Sequence, residues 1–359
     1  MKNVIRMLLT AVISLAIVAT FPMSVFAYEY GEPNLDEMIQ VKKVGEKEIT
    51  SISASDVNRI RISKSKTYRD KTDKEKFEEI CMALGVEFNE SQNREINSKI
   101  SLSDIGMIQT STVYLKIDEE GTGKEISEVV ALSATQENEG AKETKYDSFI
   151  SRNPNEENDG TMKQQLTIFY TPHYNGTGTT PDRYVFMGLC EWLDEPFMRR
   201  TDCIALIGPD FRWGSEKENY TLYAGYHLLL MEDGQCTMDE DVIEELGGNE
   251  AEVSSFAGVF FEYNLPDDLL LSGTYRDCTN FSFFMLAVGK VSMDVAAVNN
   301  IGIDFVYTHS RTSIALNIGF SWSGTGPNAS ISVSPTTTTK KYILNDAWSY
   351  QRHYSEFFT

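Results

Sequence analysis

The sequence predicts a mainly β protein, a C-terminal antiparallel β-sandwich preceded by a small α+β unit. Three observations predict it. From Gln165 onward about ten segments alternate apolar and polar side chains, the period that sets one face of a strand against a core. Turn-forming residues separate these segments and few windows carry helical spacing, the pattern of stacked antiparallel sheets. The composition agrees: 17 Tyr, 19 Phe and 4 Trp against 10 Pro suit packed pleated surfaces better than disorder or helical bundles.

Taken from the N-terminus, Lys2 and Arg6 flank an uncharged apolar run over residues 7–21, and Val25-Phe26-Ala27 follows. A basic start, an apolar middle and small or aliphatic residues at the end read as a secretory signal peptide over residues 1–27. The run is too short for a stable span, so no stable membrane insertion is expected. Neither a lipid-attachment Cys nor a C-terminal sorting motif is seen. The product is expected to be secreted and extracellular, free or held to a surface non-covalently. Residues 28–54 mix Pro, Gly and charge and read as a flexible leader.

Residues 55–132 read as the small α+β unit. Thr72 and Glu75 have the spacing of a capping box, in which each side chain meets the other residue's backbone N–H. Phe77, Ile80, Cys81 and Leu84 then form one apolar helical stripe, and Gly85 supplies the stop. Residues 110–117 and 126–132 read as two strands around a Gly-containing hairpin turn at 118–123. Residues 133–161 carry seven acidic and three basic residues with few apolar ones, and read as an acidic linker that cannot offset its own chain entropy.

The sandwich is expected over residues 162–345, followed by a tail at 346–359. Its strands are expected at 166–170, 183–192, 202–208, 220–231, 256–263, 280–288, 301–308, 313–322, 329–333 and 342–344. Residues 313–322 alternate most strictly, with Ile314, Leu316, Ile318, Phe320 and Trp322 on one face. Residues 203–207 are apolar on both faces, as in a central strand.

Charge narrows the partners. A formal net charge of −21 repels phosphate backbones and anionic headgroups, so nucleic acid is not expected as a partner, whereas cations, basic peptides and neutral sugars are. The same acidity also serves plain solubility. Four scattered His without paired spacing give no zinc motif. Residues 231–252 hold nine acidic residues and no basic one, which reads either as a weak calcium site or as a solvated acidic loop or short helix ending at Gly247. No cofactor is expected otherwise.

No nucleophile motif stands out. Glu191 beside Trp192, and Glu262 among Phe260, Phe261 and Tyr263, are the candidate catalytic carboxylates for glycoside hydrolysis, which needs two carboxyls about 5–9.5 Å apart. Both read equally as wet-face residues of strands. Trp213 beside Arg212 lies between two expected strands and is the candidate binding pair, for a glycan or a protein. Cys190 and Cys203 fall opposite each other if residues 183–192 and 202–208 form a hairpin. They read either as a cross-strand disulfide or as two small buried hydrophobes. Alternation of aliphatic with Ser, Asn and Gly over residues 313–333 also fits a membrane-active hairpin.

The segments 77–85, 191–202 and 330–335 resemble those of uncharacterised secreted proteins of clostridia-like Gram-positive bacteria. That resemblance implies a bacterial, exported protein and carries no activity with it. The reading the residues favour is a non-enzymatic extracellular or envelope protein that binds an unknown ligand. A carbohydrate-active hydrolase and a membrane-active factor are the alternatives.

Overall fold

Two tight turns open and close the principal sheet. Gly45 (φ +64°) folds β1 (Ile39–Val44) onto β2 (Lys47–Ile52), with the glycine at the first central position of a two-residue loop. Asp233 (φ +49°) and Gly234 (φ +75°) fold β9 (Tyr220–Glu232) onto β10 (Gln235–Gly247), both left-handed as a type I′ turn requires. The structure, a computed structural model, describes residues 32–117, 123–132, 160–171, 182–194, 201–266, 269–271, 274–291, 301–310, 317–323, 328–334 and 339–348.

Between those hairpins lie β3 (Met107–Ile117), β5 (Thr161–Thr171), β6 (Asp182–Asp194) and β14 (Thr274–Val291). The path runs β1-β2-β3-β5-β6-β14-β9-β10, every neighbouring pair antiparallel. Three short strands complete the eleven: β4 (Gly123–Ile126) on β3, and β8 (Arg212–Trp213) and β13 (Leu269–Leu271) on β14. The second sheet has the order β11 (Glu252–Ser254), β12 (Gly258–Asn264), β7 (Thr201–Ile207), β15 (Ile301–Ser310), β18 (Thr339–Trp348). A separate hairpin pairs β16 (Asn317–Ser323) with β17 (Asn328–Ser334), setting Ile318, Phe320 and Trp322 opposite Val333, Ile331 and Ala329.

The two large sheets pack face to face, as the period-two strands predicted. Phe186, Cys190 and Trp192 of β6 and Phe281 and Phe283 of β14 meet Ile204 and Leu206 of β7, Phe261 of β12 and Phe305 and Tyr307 of β15 in one core. The opposite face of the principal sheet carries helices α1 (Leu35–Met38), α2 (Ala54–Ile62), α3 (Asp73–Ala83) and α4 (Glu90–Lys99). They bury Phe77, Ile80 and Ile96 against Phe169, Val185 and Phe284. The fold is thus three layers: helices, the principal sheet, and the second sheet.

Helix α3 forms for the reasons its sequence states. Thr72 accepts from the Glu75 N–H at 3.2 Å while Glu75 accepts from the Thr72 N–H at 2.7 Å. Gly85 (φ +73°) ends it in a Schellman motif, the Val86 N–H reaching the Cys81 carbonyl at 2.9 Å and the Gly85 N–H the Met82 carbonyl at 3.0 Å. The whole stripe, Phe77, Ile80, Cys81 and Leu84, is buried.

Four expectations need correction. Part of the expected leader, 28–54, is structured: α1, β1 and β2 build one edge of the principal sheet, because Ile39 and Ile52 reach the helical core. The strand expected at 126–132 is shorter and earlier, β4 ending at Ile126. Residues 128–132 turn helically and bury only Ala131, which alternation could not anticipate from Val129, Val130 and Leu132. Most of the linker, residues 133–159, lies outside the described residues, but β3 on one side pairs directly with β5 on the other. The small unit and the sandwich therefore share one sheet. Finally, β6 and β7 do not form a hairpin: they lie in different sheets, the chain crossing the core between them. The turn at 118–122 and the tail beyond Trp348 also lie outside the described residues.

Candidate functional site

Strand alternation decides where each residue singled out by the sequence points. Trp213, expected on an exposed loop, is 2 % exposed, and its indole N–H donates to the Gly208 carbonyl at 3.2 Å. It fills the core between the rings of Phe186 and Phe211, so it binds nothing at the surface. Arg212, its neighbour on β8, takes the other side and sets its guanidinium 4.6 Å from the centre of the exposed Phe256 ring. That surface pair is what remains of the predicted binding site.

The two candidate carboxylates do not converge. Glu191 follows Cys190 on β6, and since Cys190 faces the sandwich core, Glu191 faces the helix side of the principal sheet. Glu262 follows Phe261 on β12 and faces the outer side of the second sheet, opposite Cys203 in register. Both sheets stand between them, at a face-to-face spacing of about 10 Å, so the pair is too far apart for either glycosidase geometry. Burial, and then the Glu252 carboxylate, hold the Glu262 carboxyl above its ordinary value. Its charged form is therefore less stable folded than unfolded, a penalty complete above the folded pKa and gone below the unfolded one. Glu262→Gln should raise the urea midpoint slightly at about pH 7 and lose that advantage at about pH 3. A midpoint unchanged at neutral pH would remove that penalty from the account.

The cysteine pair is also separated. Cys190 belongs to the sandwich core, whereas Cys203 lies with Ala205, Phe260 and Val306 on the outer side of the second sheet. Opposite faces of β7 exclude the cross-strand bridge, and Cys190, Cys203, Cys81 and Cys278 are buried thiols. Burial pushes Cys190 far above the usual thiol range, which leaves it inert as a nucleophile.

Beside Cys190 the core holds a polar chain that sequence reading missed. The Trp192 indole donates to the Tyr307 hydroxyl at 2.9 Å, and that hydroxyl donates to the Asp202 carboxylate. Gln164 donates to the Cys190 sulfur at 3.7 Å from the adjoining strand. Tyr307 and Asp202 are fully buried and Trp192 is 3 % exposed, so no substrate reaches them. Burial first, then Asp202, keeps the Tyr307 phenol protonated well above its ordinary range. The chain ties β6, β7 and β15 together across the sandwich.

The acidic segment is a strand. Strand β10 pairs with β9 from Gln235 to Gly247 and ends the principal sheet, with five carboxylates and no basic residue among its 13 positions. Part of the signal was present, since Asp233-Gly234 directly after a strand-like run is a strong short-range hairpin pattern. Asp239, Asp241, Ile243 and Glu245 share the helix side of the sheet, and Met238, Glu240, Val242, Glu244 and Leu246 the core side. This division spreads the acids over two faces. Among the described residues no group of three or more His, Cys, Asp or Glu is placed to hold a metal ion.

Several of these carboxylates are organised by β9. The His227 ring lies between two of them, Nδ1 3.0 Å from Asp241 and Nε2 3.0 Å from Asp239. On the other side the Tyr226 hydroxyl donates to Glu244 at 3.2 Å. Burial, with Glu245 beside Tyr223 and Glu244 beside Tyr226, pushes both phenols up to about 12, so they remain donors. Along its outer side β10 has no strand partner among the described residues. An open backbone edge of about 40 Å, ordered and strongly negative, is the surface best suited to capture something.

No family model matches the chain, and no curated protein matches it. Among the described residues no helix is long and apolar enough to cross a membrane.

Proposed function

We propose that this is an exported, non-enzymatic binding protein that takes an extended cationic segment along β10 by strand addition. The single observation that carries the reading is the open edge of β10, 13 residues long and bearing five carboxylates. Strand addition supplies affinity through main-chain hydrogen bonds and selectivity through alternate side chains. Carboxylates on an edge ordinarily serve to keep other strands away. They deter neutral and acidic strands, however, and favour one that brings Lys or Arg, which fits a partner chosen by charge. The export signal in residues 1–27 and the overall acidity support an extracellular setting.

Labelled peptides of about eight residues alternating Lys with Val test this, with a Glu–Val peptide as control. The Lys peptide should bind with Kd on the order of 10–100 µM at about 0.05 M salt and weaken steeply at higher salt. Amide exchange should slow within residues 235–247. Equal binding of both peptides, or protection confined to other strands, contradicts the proposal.

A further inference from the structure

The opposite end of the same sheet carries the complementary edge. Strand β1 contains Lys42 and Lys43 and no acidic residue, its outer side has no strand partner among the described residues, and Val41 and Val44 are 59 % and 49 % exposed. Ile243 of β10 is 51 % exposed. One sheet thus ends in a basic strand with bare valines and in an acidic strand with a bare isoleucine.

Direction and facing also agree. Eight strands lie on the path and each runs antiparallel to its neighbour, so β1 and β10 run in opposite directions. A second copy displaced along the sheet, with the same face up, therefore brings its β1 antiparallel to β10 of the first. An odd number would have made that junction parallel. Facing follows from register: Val41 and Lys43 stand opposite Thr50 and Glu48, and the Thr50 hydroxyl donates to the Leu84 carbonyl at the end of α3. Val41 and Lys43 are thus on the helix side, as are Asp241 and Ile243.

Resting on the proposed use of β10 as an addition edge, we propose that its partner is β1 of a second copy, joined head to tail. In the register that matches the faces, Val41 lies opposite Ile243 and Lys43 opposite Asp241. Lys42, on the other side, is flanked by Glu240 and Glu244. Lys43 already lies 3.4 Å from Glu48, but both groups are largely exposed and such a pair is worth little, so it can be shared. Like edges repel: β10 against β10 sets acids on acids, and β1 against β1 sets lysines on lysines. Among the described residues, the core between the two sheets draws no buried residue from β1 or β2. Because the two surfaces differ, each copy keeps one of each, and the contact propagates as an open chain rather than closing as a dimer.

Sedimentation velocity and negative-stain electron microscopy of the secreted chain test this. At about 0.05 M salt, association should grow with concentration into linear chains, and at about 1 M salt it should weaken by tenfold or more, since exposed charges are then screened within about 3 Å. The variant Lys42→Glu with Lys43→Glu should lose association by at least about tenfold while keeping its circular-dichroism spectrum. So should Asp241→Lys with Glu244→Lys. Mixing the two variants should restore association as alternating chains, because the acidic β1 of one meets the lysine-bearing β10 of the other and the unchanged β1 of the second meets the unchanged β10 of the first. Undiminished association of either variant alone, or no rescue on mixing, overturns the head-to-tail contact. A wild-type chain that stays monomeric to about 100 µM, yet binds the Lys–Val peptide along β10, sinks the self-association and leaves the edge reading standing. Failure of the peptide as well sinks both.

Discussion

Replacing Gly188 by alanine should lower stability by about 1–3 kcal/mol, and by valine enough to abolish a cooperative unfolding transition. A Cβ built on Gly188 falls 2.3 Å from Cε2 and 2.6 Å from Cζ of Phe305, far inside contact distance. Gly188 lies on the core side of β6, and Phe305 is a fully buried residue of β15 in the facing sheet. Close-packed interiors leave few voids for a ring to move into. The added atom therefore forces the sheets apart locally, and contacts elsewhere in the core loosen with them. Urea unfolding followed by circular dichroism reads the cost. Phe305→Leu should be destabilising alone, yet Gly188→Ala with Phe305→Leu should cost less than the two changes added together, by about 0.5–3 kcal/mol. Strict additivity would show that the two residues do not meet.

The second large effect belongs to the buried polar chain. Tyr307→Phe should cost about 1–3 kcal/mol, although it removes a single oxygen and leaves the ring that stacks edge-on at 5.9 Å from Trp192. Without that hydroxyl the Trp192 N–H loses its acceptor at 2.9 Å, and the Asp202 carboxylate loses a donor. Both groups stay buried, so neither recovers water. Trp192→Phe should cost less in polar terms than in volume, since it removes the donor together with part of the ring area. The check is the urea midpoint of each variant with Trp fluorescence as a second probe. A Tyr307→Phe protein as stable as wild type would mean that the chain contributes nothing.

Much of the architecture could be read from local pattern. The capping box at Thr72 and Glu75, the stripe from Phe77 to Leu84 and the stop at Gly85 all depend on residues within one or two turns of each other. Nine of the ten expected strands overlap observed strands over most of their length, and residues 317–322 of the tenth fall in β16 while 313–316 lie outside the described residues, because pleating alone dictates period two. Among the elements not anticipated, β1 and β10 were missed for the opposite reason. In β1, Lys42 and Lys43 interrupt the alternation begun by Ile39 and Val41, and in β10 five carboxylates obscure Val242, Ile243 and Leu246. Edge strands bury little, so their composition resembles that of loops.

The candidate site was legible only in part. Residues 231–252 stand out by charge alone, but their form as a strand, with His227 set between Asp239 and Asp241, came from pairing with β9. Trp213, Glu191 and Glu262 were chosen from their chain neighbours, and neighbours along a strand point to opposite faces.

What the amino-acid order by itself determined is which stretches pleat, where the one well-marked helix starts and stops, and that the chain is strongly acidic. Only the tertiary structure decided that β6 and β7 belong to different sheets, that β3 joins β5 across the acidic segment, and that one sheet ends in a lysine strand and an acidic strand. The reason is physical. Pleating and capping arise from contacts a few residues apart, whereas sheet order is settled by which distant apolar faces can be buried together, a competition no local window contains.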